Sequence, residues 1–133
     1  MTLVLLGWPA LALAQDPGQE EGERDCSDPV SQAEMTDCAF LDSEDADAAL
    51  NAAYAEALDR ARARDAALAE GEVTSEEMLR KAQRAWIAFR DAACAAESTT
   101  RRGGTMQSQV LYTCIARLTR SRNEDLHIFS AEY

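Results

Sequence analysis

The chain has 133 residues, 47% hydrophobic and 28% charged, and carries a net charge of −11 at pH 7. That is one domain's worth of chain. The acidic balance argues against nucleic acid and against an anionic membrane surface, since both need a basic footprint.

The charge is unevenly spread. Gln15 to Ala48 holds twelve acidic residues against one basic residue, Arg24, whereas Ala49 to Tyr133 holds twelve of each. An acidic first part of this kind either keeps a secreted protein soluble or steers a strongly basic protein partner.

Residues 1–14 are apolar and end in Ala12-Leu13-Ala14, the small-x-small pattern cut by signal peptidase. The run from Leu3 to Ala14 is too short to cross a bilayer. It carries no Lys or Arg, so residues 1–14 are expected to be a signal peptide whose basic start lies upstream. No cysteine follows the leader directly, so no lipid or membrane anchor is expected. Residues 15–25 are polar and acidic without periodicity, and are expected to form a disordered arm ahead of a domain over 26–133.

Asp28-Pro29 reads as a helix start, with Asp as N-cap and Pro at the first helical position, and a short helix is predicted to about Phe40. Its inward candidates are Met35, Cys38 and Ala39. Asp42-Ser43-Glu44-Asp45-Ala46-Asp47 then reads as a turn and the acid-loaded first turn of a second helix. That helix presents Leu50, Tyr54, Ala57, Leu58 and Ala61 on one face and is expected to run to Gly71. Thr74 and Glu77 fit a capping box opening a third helix, which presents Met78, Leu79, Ala82, Trp86, Phe89 and Ala93 and ends near Glu97. Thr105 is the expected N-cap of a fourth, with Leu111, Cys114, Ile115 and Leu118 inward and Leu126 and Phe129 near its end. Strand alternation is absent. The predicted class is an all-α antiparallel bundle of about four helices.

Cys26, Cys38, Cys94 and Cys114 follow an export signal, so they are expected to form two disulfides. No C-x-x-C occurs and the spacings fit no zinc finger or ribbon, so no metal or other cofactor is expected. A helix over 29–40 would hold Cys26 and Cys38 ~15 Å apart or more, beyond the ~7 Å reach of a disulfide. The expected pairs are therefore Cys38–Cys94 and Cys26–Cys114, stapling the first helix to the last helical hairpin.

His127, the only histidine, lies near a helix end where a cation suits the dipole, and nothing in the sequence supplies it a catalytic partner. The acidic pairs cluster at expected helix starts, and no nucleophile elbow, phosphate loop or zincin motif occurs. No catalytic residue is assigned, and the chain is not expected to be an enzyme. The stretch Trp86-Ile-Ala-Phe-Arg-Asp-Ala-Ala-Cys94 is the densest in information. Trp86 and Phe89 read first as core, and the Arg90 guanidinium can lie on the Trp86 ring four residues earlier. Trp86 and Arg90, with Asp91, are also candidate contact residues, as are Tyr54 and Tyr112.

The elements Asp47-Ala-Ala-Leu-Asn-Ala-Ala-Tyr54, Ala82-Gln-Arg-Ala-Trp-Ile-Ala-Phe-Arg-Asp-Ala-Ala-Cys94 and Cys114-Ile-Ala-Arg-Leu-Thr-Arg-Ser-Arg122 follow Cys26 and Cys38 in that order. In this order the chain resembles the LprI-like lysozyme-inhibitor domain family, small secreted or periplasmic bacterial helical proteins. Leu50, Asn51, Tyr54, Trp86, Phe89, Arg90, Asp91 and Cys94 carry the resemblance. It implies a periplasmic or secreted binding protein whose partner is a basic glycan-cleaving enzyme such as lysozyme. The alternative is an envelope interaction module with a different partner.

Overall fold

The computed structural model describes residues 25–131. The expected leader, and the expected arm up to Arg24, lie outside the described residues. Three α-helices form: α1 (Gln32–Asp65), α2 (Ser75–Ser98), prolonged by a 3-10 turn over Thr99–Arg101, and α3 (Gln107–Ala131). No strand occurs among the described residues. The all-α class is as predicted, but the bundle has three helices rather than about four.

The missing boundary is the one expected at Asp42–Asp47, where α1 runs straight through. The stretch contains no Gly or Pro to break it. Buried Ser43 satisfies its hydroxyl inside the helix by donating to the Phe40 carbonyl at 2.7 Å. The acids that suggested a helix start instead face arginines on other helices. Asp42 takes a two-pronged ion pair from Arg120, and Asp47 accepts from Arg90 at 2.7 Å. At ~1.5 Å per residue α1 is about 50 Å long.

The start of α1 also differs from expectation. Asp28-Pro29 precedes the helix, and Ser31 is the N-cap. The Ser31 hydroxyl accepts from the Glu34 N–H, while the Glu34 carboxylate accepts from the Val30 and Ser31 N–H groups. This is a full capping box. The segment before Ser31 is thus free of the helix and doubles back beside it. That brings Cys26 to Cys38 with 5.7 Å between Cα atoms, and the two are bonded.

The second disulfide is Cys94–Cys114, Cα atoms 5.4 Å apart, so neither expected pairing forms. The reason lies in the α2–α3 connection. The 3-10 turn carries the α2 spiral on to Arg101, and α3 begins at Gln107. Cys94 and Cys114 are therefore set back equally from the connection and come level across the hairpin. Each bond closes a short loop, of separation 12 and 20, and in the chain-entropy picture each contributes about 3 kcal/mol.

At the other end α1 stops at Asp65, earlier than the expected Gly71, which instead sits in the following turn with φ +89°. Only glycine adopts that conformation without strain. The Asp65 carboxylate accepts from the Ser75 and Glu76 N–H groups at 2.7 and 3.0 Å. The last residue of α1 thereby helps cap α2, together with the expected N-cap Thr74, whose hydroxyl accepts from Glu77 N–H. An exposed cluster joins the same two helices, with Arg62 and Arg80 both bound to Glu76.

α1 and α3 run in the same direction, side by side. Gln32 bonds Gln109 near their starts, and the Arg64 guanidinium reaches the Phe129 carbonyl near their ends. α2 returns antiparallel to both. The buried seam of α1 is Ala46, Leu50, Ala53, Ala57 and Ala61, at steps of four, three, four and four. That spacing keeps one face toward the neighbours, and the alanines let α3 come close. Leu50, Leu58, Leu79 and Leu126 fill the centre, flanked by Tyr54, Trp86 and Phe129. Fully burying a leucine stabilises by ~1.5–3 kcal/mol, so these four matter out of proportion to their number. Phe89 and Met78, expected in the core, are instead 60% and 62% exposed.

Two outcomes are expected. Non-reducing peptide mapping of the oxidised protein recovers Cys26 linked to Cys38 and Cys94 linked to Cys114. Leu126→Ala, at a position 1% exposed, lowers the unfolding free energy in urea by about 2–5 kcal/mol.

Candidate functional site

The acidic half of α1 and the facing stretch of α3 form the most strongly featured surface. The helix spacing puts Asp42, Asp45 and Ala49 on the side that meets Arg120, Asn123 and Glu124. Between them lies an open groove of about 360 Å³, lined by Asp45, Ala46, Ala49, Arg120, Asn123 and Glu124. Arg120 crosses one edge to grip Asp42, with Nη1 3.0 Å from Oδ2 and Nη2 on the other oxygen. This bonding holds the Asp42 carboxyl below its usual range and raises Arg120 in turn. Asn123 Oδ1 is buried and takes no hydrogen bond from the protein. A buried acceptor left so costs roughly 1–3 kcal/mol, an expense that a donor reaching the groove floor would remove.

One helical turn before the groove stands an aromatic pair. Phe40 meets Tyr112 edge to face, with ring centroids 5.2 Å apart. Phe40 and Leu41 are each 41% exposed. The surface thus combines a solvent-facing apolar edge with the carboxylates of Asp42, Glu44 and Asp45.

Arg90 sits deeper. Its side chain is 12% exposed, and its guanidinium lies over the Trp86 ring at 5.3 Å, as the four-residue spacing suggested. It donates to Asp47 on α1 at 2.7 Å, to Thr119 on α3 at 3.3 Å and to neighbouring Asp91 at 3.0 Å. Two turns earlier on α2, buried Gln83 accepts from Arg122 of α3 at 3.0 Å. Arg90 therefore ties all three helices at one level.

The five contact candidates fall in three places. Trp86, Arg90 and Asp91 come together, and of these Asp91 has the most exposed side chain, at 58%. Tyr112 is half-buried on the edge with Phe40, and Tyr54 is half-buried against the leucine core. Sequence pattern alone does not single out Phe40, Asp42, Arg120 or Asn123. Asp42 and Arg120 are 78 residues apart, and only the α1–α3 packing joins them. The one legible sign was the oddity of so many acids in mid-helix once no break is allowed there.

Among the described residues no group of three or more His, Cys, Asp or Glu side chains could hold a metal, and all four cysteines are bonded. No helix among them is long and apolar enough to cross a membrane. His127 is exposed near the end of α3.

The family model described as "Lysozyme inhibitor LprI" matches residues 24–126. The chain belongs to this family. It is 38% identical over 126 residues to an uncharacterized protein of Rhizobium meliloti (strain 1021), covering 92% of this chain and 87% of that one. The fold is similar to the crystal structure of a DUF1311 family protein from Pseudomonas putida, with a TM-score of 0.66 at 24% identity, over 79% of this chain and 98% of that one.

Two measurements bear on this geometry. Replacing Arg90 by Met leaves Thr119 and Asp47 without their shared donor and is expected to cost about 1–3 kcal/mol in urea unfolding. Arg90→Lys recovers only part of this, because an ammonium cannot reproduce the planar fork. The second concerns pH. Asp42 (bonded by Arg120), Glu76 (bonded by Arg62 and Arg80) and Glu34 (bonded by the Ser31 and Val30 N–H groups) all have lowered pKa values. At Asp65 desolvation pushes upward, but the Glu76 and Ser75 donors outweigh it, so its pKa is lowered too. Groups with depressed folded pKa values stabilise fully above their unfolded values near pH ~4, and that contribution fades as pH falls through the folded ones. The urea midpoint should therefore hold steady from neutrality to about pH 5 and drop below about pH 4. Asp42→Asn should flatten part of the drop.

Proposed function

We infer that this chain is an extracytoplasmic binding protein that inhibits a basic glycan-cleaving enzyme of the lysozyme type by occluding its cleft. The observation that carries this reading is membership of the lysozyme-inhibitor family over residues 24–126. Three features of the molecule support it. The two disulfides suit an oxidising compartment. The expected signal peptide gives the chain a route to a periplasmic or secreted location. The acidic half of α1 supplies a field that attracts a cationic enzyme.

Docking is assigned to the α1–α3 edge. Phe40, Leu41 and Tyr112 form its apolar part, while Glu44 and Asp45 face the cationic rim of the target. Aromatic anchors set the affinity of such a contact, and the charges chiefly raise its on-rate. Trp86, Arg90 and Asp91 act behind this edge by holding α2 in place, with Asp91 the one of the three that can also reach a partner. Tyr54 contributes through the core.

The test is hydrolysis of a peptidoglycan suspension by a basic lysozyme, with and without the purified oxidised protein. Inhibition is expected at low ionic strength and should weaken as salt approaches physiological strength. A Glu44→Lys, Asp45→Lys double variant should slow association roughly 10-fold or more while its stability stays close to that of the parent. Undiminished lysozyme activity at low salt would remove this function and leave an envelope interaction module with another partner.

A further inference from the structure

α2 carries two apolar faces, and the bundle uses one of them. Leu79, Gln83, Trp86, Arg90 and Cys94 turn toward α1 and α3. Met78, Ala82, Ala85, Phe89, Ala92 and Ala96 form a second row at steps of four, three, four, three and four, and all six are exposed. Phe89 and Met78, at 60% and 62% exposure, are the large apolar groups of this row. A strict four-three alternation is the spacing of a helix–helix seam.

The order of large and small residues along this row identifies what fits it. Turned antiparallel about the level of Ile87, the row is complementary to itself. Met78 then meets Ala96, Ala82 meets Ala92, and Phe89 meets Ala85, each pair occurring twice. Every bulky side chain lies on an alanine. A parallel pairing would set Phe89 on Phe89 and leave the alanine layers unfilled.

We propose that the exposed Met78–Ala96 face of α2 is the contact surface of a two-fold symmetric dimer, its occupant being α2 of a second copy of this chain. A two-fold axis repeats one self-complementary patch in this way. The row is about 27 Å long. Two such rows with their flanks lie near the ~1,000 Å² at which a specific interface becomes stable. The dimer should accordingly be reversible and concentration-dependent. It leaves the Phe40–Asp45 edge of α1 open, so it stands or falls separately from enzyme inhibition.

The experiment is sedimentation velocity of the oxidised protein at loadings from low micromolar to submillimolar. The mass is expected to rise from monomer to dimer. Phe89→Asp should shift the dissociation constant at least tenfold weaker. Phe89 is largely exposed, so the far-ultraviolet circular dichroism and thermal midpoint of dilute protein should match the parent. Orientation is read by cross-linking. Ala88→Cys lies beside the two-fold axis and should form an intermolecular disulfide with itself, whereas Ala92→Cys, which faces Ala82, should not. A monomer at every loading overturns the proposal. So does a dimer indifferent to Phe89→Asp, or one in which only Ala92→Cys cross-links, since that pattern belongs to the parallel arrangement.

Discussion

Arginine–carboxylate bonding between helices is the interaction on which the rest of the molecule depends. α1 carries its acids in mid-helix, where they can neither cap nor meet the dipole. They are accommodated because Arg90 and Arg120 reach them from α2 and α3. Arg90 matters most, since one guanidinium bonds both neighbouring helices while resting on Trp86. Its planar donor fork and weak hydration let it sit 12% exposed where an ammonium would be poorly served. Exposed pairs such as Arg62–Asp59, and to a lesser degree the half-exposed Arg120–Asp42 pair, add ~0.2–1 kcal/mol each, so it is the largely buried Arg90 that sets the arrangement.

The need for these bonds follows from how little the bundle buries. Its α1 seam is mostly alanine, and the large buried apolar groups come down to four leucines with partial cover from Tyr54, Trp86 and Phe129. Alanine brings helices close but removes little apolar area from water. The disulfides supplement this core, one clipping the segment before α1 back onto the helix and the other tying α2 to α3. Small domains with modest cores are commonly reinforced by disulfides in this way.

Much of this was legible in the residues. Local signals that act over one turn suffice for the Thr74 cap, the span of α2, and the stacking of Arg90 on Trp86. The differences between expectation and structure share a cause. Acids at Asp42–Asp47 have the same local appearance at a helix start and in mid-helix, and partners 43 and 78 residues away decide between the two. A helix boundary placed there makes Pro29 read as a first helical residue and hides the Ser31 cap. A helix over 29–40 in turn excludes the Cys26–Cys38 bond that forms. For the surface, periodicity reports that Phe89 and Met78 lie on an apolar face, without saying which of two faces the bundle covers.

The parallel placement of α1 and α3 has a consequence for the order in which the domain comes together. Both disulfides and both hairpins are local, so each can close as soon as its own stretch of chain is present. The acids and alanines of α1 are matched by α3, the third helix in chain order, and Arg120 and Leu126 lie in the latter half of it. A chain delivered from its amino end must therefore hold its longest helix half-clothed until α3 has followed it, and loss of the last turns of α3 should undo contacts made with α1 far back in the sequence.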